Sequence, residues 1–494
     1  MPPAEPLIVT LDVGTSSART LLFDADARVV AGFGLQLPYR ITTTADGGVE
    51  IDPDELAGLA IRCLSAIHDQ LREAGRKPAG IAFCTFWHNV LGVDSKNRPT
   101  TPILHLFDTR GTQAAKRIGE KLDPAAQHAR TGCVLHPSYL PAKLLWLSEA
   151  RPDAMKATAR WMSFGEYFFL RLFGRPVAST SMVSGSGLWN QNQNDYDAGI
   201  LSVLPIDRAQ LAPPESMDHP ASDLTQEFET MWPDWGALPW FPALGDGACN
   251  NIGSGCITPQ RFSLMVGTTG VSRAVFEADS IVIPPGLWCY RVDRRRFVLG
   301  GALSNGGEVY AWMRRMLALP ADEEQLEQKL ATIKPGAHGL TVLPLFAGER
   351  STKWRADARA AITGMSIHTE PIDLLYAGLE SVSLRFRNIY DLMSERLGAP
   401  EEMIASGGAL LKSRTWTQMM ADALGRSMTL CLEAEATSRG AALLVLERIG
   451  AIGHIRERRP EMGESIPPIE ANRAIYDGLL AKQRRLYTKL FEEN

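Results

Sequence analysis

One short pattern occurs twice in this chain, near the start and again just past the middle. Residues 7–23 have the composition of two apolar strands joined by a turn of glycine and small hydroxyl residues, and residues 262–277 repeat it. The copies align without a gap. The aligned pairs are Leu11 with Leu264, Val13 with Val266, Gly14 with Gly267, Thr15 with Thr268 and Phe23 with Phe276. This placement predicts a duplicated domain pair with a cleft between its halves.

The chain is long enough for this organisation. Its 494 residues exceed what one hydrophobic core usually organises. Helical apolar spacing over residues 53–74 and 371–392, with strand-like runs at 80–84 and 297–299, indicates an α/β fold. A proline-rich stretch at 205–242 is typical of irregular connection. We therefore predict an N-terminal domain at 1–250 and a C-terminal domain at 251–494.

Composition and charge exclude several classes of protein. The net charge of −5 and the lack of clustered Lys and Arg argue against a nucleic-acid partner. The seven scattered cysteines are never spaced as CxxC, which predicts reduced core thiols. The sequence has neither a leader-like N-terminus nor an apolar run of about 20 residues. We expect a cytoplasmic protein with no membrane partner.

The two hairpins have the residues of a phosphate-binding site, and one residue distinguishes the two copies. Backbone N–H groups of such turns form concave anion sites, and small hydroxyls add donors, so two facing turns suit a triphosphate. Asp12 of the first copy aligns with Met265 of the second. A carboxylate beside a phosphate is repulsive unless a cation lies between them, so Asp12 predicts one Mg²⁺. A turn-capping carboxylate is the alternative.

The first hairpin, residues 12–19 (DVGTSSAR), resembles the first phosphate motif of the FGGY carbohydrate kinases. Further family landmarks follow in order through the first half. They are 83–88 (FCTFWH), 107–110 (FDTR), 138–147 (SYLPAKLLWL) and 244–248 (LGDGA). Those of the second half are 267–270 (GTTG), 348–351 (GERS), 362–364 (ITG), 374–380 (LLYAGLE), 406–409 (SGGA) and 420–425 (MADALG). The resemblance spans residues 7 to about 445 and implies two duplicated actin-like (ribonuclease H-like) domains with a central cleft.

The resemblance also implies an ATP-dependent kinase with a catalytic aspartate, Asp246, as the base that receives a sugar hydroxyl proton. A simple Gly-Asp-Gly turn is the local alternative. Residues expected to bind the nucleotide are Gly14, Thr15, Ser16, Arg19, Gly267, Thr268, Gly407 and Gly408. The alternative for the phosphate loops is that they are ordinary hairpin turns. Arg19 could instead be a strand residue that faces solvent, and the two later glycines could simply form a turn.

The sugar is expected to contact Trp87, His88 and Asp108 beside Asp246. An aromatic face stacks on C–H groups and an imidazole bonds hydroxyls, although Trp87 and His88 could also be core residues. Asp108 could instead pair with Arg110. Three departures from the family pattern, at 86–88, 106–107 and Leu140, leave the phosphate chemistry alone and put the sugar's identity in doubt.

Residues 132–137 resemble gluconate-phosphorylating members, so we expect a sugar acid (aldonate), with Arg110 or Lys143 near its carboxylate. Xylulose or another ketopentose is the main alternative. A chaperone or filament-forming ATPase of the same superfold, with water as acceptor, is a second alternative, and a chaperone would need a downstream peptide-binding domain. A sugar-binding regulator without catalysis is a third, and it would not need Asp12 and Asp246. A homodimer is compatible with the sequence, which does not specify an oligomeric state.

Overall fold

A computed structural model describes residues 5–493, and the structure confirms an α/β chain with two related halves. The strands of the first half are β1 (Ile8–Val13), β2 (Ser17–Phe23), β3 (Val29–Pro38), β4 (Thr42–Thr43), β5 (Val49–Ile51), β6 (Gly80–Thr85), β7 (Leu91–Val93), β8 (Ile103–Leu104), β9 (Arg160–Met162), β10 (Ala178–Ser179), β11 (Trp189–Asn190), β12 (Asp195–Tyr196), β13 (Pro214–Glu215) and β14 (Leu244–Gly245). Those of the second half are β15 (Arg261–Val266), β16 (Gly270–Glu277), β17 (Trp288–Arg291), β18 (Arg296–Leu303), β19 (Thr341–Leu343), β20 (Ala361–Thr363), β21 (Glu402–Ser406), β22 (Met428–Cys431) and β23 (Met462–Ile466).

Helices are interspersed among these strands. The first-half helices are α1 (Pro53–Glu73), α2 (Thr112–Lys121), α3 (Pro124–Thr131), α4 (Leu140–Ala150), α5 (Pro152–Ala157), α6 (Phe164–Phe173), α7 (Thr180–Ser184), α8 (Ala198–Leu201), α9 (Gln226–Met231) and α10 (Asp246–Gly253). The later ones are α11 (Gly307–Met316), α12 (Glu323–Thr332), α13 (Pro371–Leu397), α14 (Gly408–Lys412), α15 (Arg414–Leu424), α16 (Ala436–Arg448) and α17 (Arg473–Phe491).

The duplication is confirmed in the topology of the two main sheets. The first sheet has the order β14-β6-β1-β2-β3, and the second contains β22-β21-β15-β16-β18 in the same relative order, flanked by β23 and β17. In each, the hairpin strands pair antiparallel while the first hairpin strand pairs parallel with a later one. The two turns that align in the sequence therefore lie at equivalent strand ends in the two sheets.

The first sheet is covered partly by the second half of the chain. β1 is buried along its whole length. Helix α1 packs on β2 and β3, whereas α16 packs on β1 and β6. Residues 438–446 of α16 are all buried, which is typical of a helix enclosed on every side. The domain boundary near residue 250 stays a prediction, because this late helix shares the first core.

Helices α10 and α16 cross in close contact, and two glycines make that contact possible. A Cβ atom at Gly253 would collide with the carbonyl of Ala436, and one at Gly440 with the carbonyl of Cys249. The backbones therefore touch where larger residues would separate them. This crossing fixes α10, which begins at Asp246, against the second half.

All seven cysteines are buried free thiols, as their scattered spacing predicts. Among residues 5–493, no helix combines the length and the apolar character that crossing a bilayer requires.

Candidate active site

A cavity of about 320 Å³ is lined by residues of both halves, and it contains three of the predicted site residues. Trp87, His88 and Asp246 come from the first half. Asn250, at the boundary between the halves, is a further polar lining residue, and the second half supplies Thr269, Arg273, Tyr290, Arg350 and Thr437. This size is within the range of small-ligand sites.

Asp246 is the carboxylate of this cavity, at the first residue of α10. Its Oδ1 accepts a hydrogen bond from the Gly247 N–H at 2.6 Å. Burial, and then the nearby charge of Asp12, raise the pKa of Asp246 to about 6, against the opposing effects of the Gly247 N–H and Arg273. The group is therefore ionised at neutral pH and more basic than an ordinary aspartate.

The two glycines of the Gly-Asp-Gly sequence are required by packing as well as by the turn. A Cβ atom at Gly245 would collide with the Trp87 ring, and one at Gly247 would collide with the Arg273 guanidinium. Arg273 Nη1 in turn donates to the Gly247 carbonyl at 2.7 Å. The two glycines thus let an indole and a cation approach Asp246 from either side.

Trp87 and His88 lie in the cavity wall with fixed orientations. Trp87 Nε1 donates to the Ser181 carbonyl at 2.9 Å. His88 Nδ1 lies 2.6 Å from the Gly185 carbonyl, which can only accept, so this nitrogen carries the proton. Burial lowers the pKa of His88 to about 3, so the ring is neutral. Its Nε2 is then a hydrogen-bond acceptor, the partner that a hydroxyl group needs.

Asp12 and Arg19 face each other across the first hairpin. Asp12 Oδ1 is buried without a partner among the described residues, and Oδ2 lies 3.5 Å from Arg19 Nη2. Burial raises the pKa of Asp12, an effect that the Arg19 charge opposes. Arg19 Nη1 also donates to Glu435 at 2.9 Å, so it links the two halves. An unsatisfied carboxylate oxygen beside a phosphate loop fits a Mg²⁺ ligand.

The first phosphate turn is braced by a tyrosine that the sequence did not single out. The Gly14 N–H donates to the Ser17 carbonyl, which closes the turn around Thr15 and Ser16. Tyr39 donates its hydroxyl to the Gly14 carbonyl and its N–H to the Ser16 carbonyl. Burial, and then the charges of Asp246 and Asp12, raise the pKa of Tyr39, so its hydroxyl remains a donor.

The second phosphate turn abuts the start of α11. The N–H groups of Gly306 and Gly307 donate to the carbonyls of Thr268 and Gly267, at 3.0 and 2.7 Å. The helix N-terminus is thereby docked onto the turn, and Thr268 is exposed at its tip.

The predicted adenosine glycines lie beside a second cavity of about 330 Å³. Gly408 lines it together with Tyr310, Ala409 and Trp416. Gly407 has a φ of +88° and packs against the backbone of Val266, at the end of β15. The second cavity therefore adjoins the strand that leads into the second phosphate turn.

Asp108 lies outside the cavity, so its contact with the sugar stays a prediction beside the alternative of pairing with Arg110. Its carboxylate is buried, accepts the Val49 N–H at 3.2 Å and forms an ion pair with Arg110 at 2.6 Å, so it does not line the cavity. Arg110 also pairs with Glu50. Lys143 is buried and donates to the His88 carbonyl. Arg110 is thus paired outside the cavity, whereas Lys143 lies behind the cavity wall and contacts it through the His88 backbone.

Sequence reasoning missed Arg273 and Arg350 in the cavity, as well as the bracing role of Tyr39. Arg350 belongs to the GERS motif, which the resemblance had already marked as a landmark. The motif was the available signal, but nothing local shows that its arginine faces the cavity. Arg273 follows the second hairpin turn, and only the sheet topology brings it to Asp246.

Comparison with known proteins agrees with this geometry. Residues 7–253 match the N-terminal domain of the FGGY family of carbohydrate kinases, and residues 263–446 match its C-terminal domain. A gluconokinase of Bacillus subtilis is 26% identical over 456 residues, covering 90% of this chain and 87% of that protein. A xylulose kinase of Staphylococcus xylosus is 22% identical, covering 97% and 99%.

Among solved structures, a gluconate kinase from Lactobacillus acidophilus superposes with a TM-score of 0.91 at 24% identity, covering 99% of this chain and 98% of that one. The two-domain actin-like fold is therefore confirmed. Both family domains match in order and together cover most of the chain, so this protein belongs to the FGGY family of carbohydrate kinases.

Proposed function

We propose that this carbohydrate kinase transfers the γ-phosphate of ATP to a hydroxyl of a sugar acid such as gluconate, with Asp246 as the base. The observation that carries the proposal is a carboxylate of raised pKa in a cavity lined by both halves. Phosphoryl transfer requires positioning, charge neutralisation and one group that receives the hydroxyl proton. Asp246 has the pKa and the location for that last task.

The proton moves to the free oxygen of Asp246. Because Oδ1 already accepts the Gly247 N–H, the substrate hydroxyl donates to Oδ2. As the oxygen–phosphorus bond forms, the carboxylate takes the proton and the ADP oxygen leaves. The neutral His88 accepts a second hydroxyl through Nε2, and the Trp87 ring covers the C–H face of the carbon chain.

The nucleotide is proposed to lie along the second half. Gly407 and Gly408 would border the adenine, between Tyr310 and Trp416. The turns at 14–16 and 267–268 would direct their N–H and hydroxyl groups toward the β- and γ-phosphates. Arg19 would influence the phosphates indirectly, by its contact with Asp12, because its guanidinium already donates to Glu435.

Asp12 is proposed to hold Mg²⁺ through its unpartnered oxygen Oδ1. When bound, the ion would neutralise charge on the phosphate oxygens. Mg²⁺ is commonly held by one or two carboxylates together with waters and phosphates, which fits this sparse protein donor set.

The proposed acceptor is an aldonate. The named gluconokinase relatives, and the resemblance of residues 132–137 to gluconate-phosphorylating members, favour an aldonate. A ketopentose is the second candidate, because a xylulose kinase aligns over 97% of the chain.

A coupled assay for ADP release tests the proposal, using gluconate, other aldonates, xylulose, glycerol and a blank without acceptor. We expect gluconate to give the highest kcat/KM and Asp246→Asn to lose at least about 100-fold of it. ADP release of equal rate with and without every acceptor would instead indicate a plain ATPase. A preference for xylulose would select the second candidate.

A further inference from the structure

The substrate cavity contains an arginine whose charge is not neutralised by the protein. Two cations line the cavity, Arg273 and Arg350. Arg273 has no ion pair among the described residues, but its Nη1 donates to the Gly247 carbonyl and its Nη2 to Asn250 Oδ1. Arg350 forms no ion pair with any carboxylate within residues 5–493, and its side chain is partly exposed to the cavity. An arginine of this kind has five donors available for an incoming anion.

The backbone that carries Arg350 is fixed on both sides. The Ser351 N–H donates to the Ala302 carbonyl at 2.9 Å, and the Ala302 N–H donates back to Ser351 Oγ at 3.0 Å. On the other side, the Trp354 N–H donates to the Arg350 carbonyl at 2.7 Å. Ala302 itself lines the cavity at the end of β18. The cation is therefore presented from a constrained loop, which lowers the entropy cost of binding.

The neighbouring acid does not compete for Arg350. Glu349 is buried, pairs with Arg385 and accepts the Tyr487 hydroxyl at 2.5 Å. Both of its oxygens are thus engaged on the side of α13 and α17, away from the cavity. The ion pair explains why adjacent residues of opposite charge face in opposite directions.

The side chains around Arg350 are neutral. Its charge acts on His88, His136, Tyr139 and Tyr290. Burial lowers the pKa of both histidines to about 3 and raises the pKa of both tyrosines, so none of the four is charged at neutral pH. This corner of the cavity is consequently positive, while Asp246 gives the opposite charge to another part of it.

We propose that Arg350 binds the carboxylate of a sugar-acid substrate and selects it over neutral sugars. The inference rests on the proposed kinase activity and names a residue for its substrate class. A carboxylate on Arg350 and a hydroxyl on Asp246 would fix the two parts of one polyhydroxy acid. A guanidinium also matches a carboxylate with two parallel hydrogen bonds, which an alkyl ammonium cannot do.

Gluconate and glucitol make the sharpest pair of substrates, because they differ only in a carboxylate against a hydroxymethyl group. In Arg350→Gln we expect KM for gluconate to rise about 10- to 100-fold, the range for a charge-assisted hydrogen bond. The kinetics with glucitol and KM for ATP should stay within about twofold. Arg350→Lys should recover part of the loss. Arg485→Gln removes an exposed arginine of α17 and serves as the matched control.

Binding of gluconate without ATP, measured by calorimetry, gives a readout independent of turnover. Wild-type binding that Arg350→Gln weakens by the same factor supports the inference, provided that the two proteins melt at similar temperatures. An equal loss with gluconate and glucitol, or a raised KM for ATP, would assign Arg350 to the phosphates and overturn it. An unchanged KM for gluconate would overturn it as well.

Failure of the inference and failure of the proposed activity give different results. If the wild type phosphorylates xylulose but neither binds nor phosphorylates gluconate, the kinase activity stands with the second candidate as acceptor, and the assignment of Arg350 is wrong. If gluconate binds through Arg350 but no acceptor is phosphorylated, the carboxylate site stands and the activity is wrong.

Discussion

At the scale of single residues, the features that suit Asp246 for catalysis also make it unfavourable for folding. Its pKa of about 6 lies above the roughly 3.9 of an exposed aspartate, so the folded protein disfavours the ionised form. Above pH 6 the carboxylate is ionised in both states and the folded state carries the full penalty. Below about pH 4 it is protonated in both, and the penalty disappears.

Asp246→Asn should therefore be more stable than the wild type at pH 8. The shift of about two pKa units corresponds to at most about 3 kcal/mol, and the gain should shrink as the pH falls from 6 to 4. Melting temperatures of both proteins at pH 5 and pH 8 provide the test. A variant less stable than the wild type at pH 8 would mean that the carboxylate is a structural residue.

The pH dependence of activity has the same origin. Only ionised Asp246 can take a proton, so kcat/KM for the acceptor should rise with pH through about 6 and then level off. A profile between pH 4.5 and 8.5, with the stability of the protein checked at each pH, measures this. An acid limb centred near pH 4 would require a different base.

Asp12→Asn should raise the Mg²⁺ concentration needed for half-maximal activity while leaving sugar binding nearly unchanged. The amide keeps the shape of the side chain but loses the charge of the unpartnered oxygen. Titration of activity with Mg²⁺, beside calorimetry with the sugar alone, separates the two effects. An unaltered Mg²⁺ requirement would make Asp12 a turn residue.

Sequence could predict these residues only as far as their local surroundings specify them. Both substrate motifs come directly after strands of the first sheet. Trp87 and His88 follow β6, and Asp246 follows β14. The order of the motifs was therefore sufficient to place these residues together. Asp108 and Arg350 show the limit. Whether an acid or a cation is free depends on partners such as Arg110, Glu50 and Arg385, which tertiary packing brings close.

At the scale of elements, the repeated hairpins show why duplication was readable from the sequence. Alternation and turn chemistry are local, so residues 7–23 and 262–277 each specified a hairpin by themselves. The position of α16 on the first sheet was not readable. Its apolar residues lie on all sides and identify a buried helix, but they do not say which core it enters.

Tyr39→Phe should loosen the first phosphate turn. The variant loses the hydroxyl donated to Gly14 and keeps the ring, at a cost of about 1 kcal/mol. We expect KM for ATP to rise up to about tenfold, with KM for the sugar nearly unchanged. Tyr167→Phe removes a hydroxyl bonded to Asp54 in the same half and is the matched control. Equal effects of the two variants would show that the loss concerns stability and not the turn.

At the scale of the whole molecule, the site is completed only when both halves contribute. Asp246 and His88 belong to the first half, whereas Arg350 and the second phosphate turn belong to the other. The halves are joined by the glycine crossing of α10 and α16 and by the Arg19–Glu435 ion pair. A ligand that contacts both halves binds best when the two halves are close together, so its binding favours that conformation.

We therefore expect the two halves to approach each other when sugar acid and nucleotide are both bound, which would exclude water from the γ-phosphate. Each ligand alone makes only part of the contacts between the halves, so neither should close the cleft fully. Small-angle scattering of the protein with gluconate, with an unreactive ATP analogue and with both should show the smallest radius of gyration in the ternary complex. Arg350→Gln offers an internal control, since weaker gluconate binding should shift closure to higher gluconate concentration. A radius unchanged at saturation with both ligands would mean that the cleft is already closed, and that water is excluded by the side chains alone.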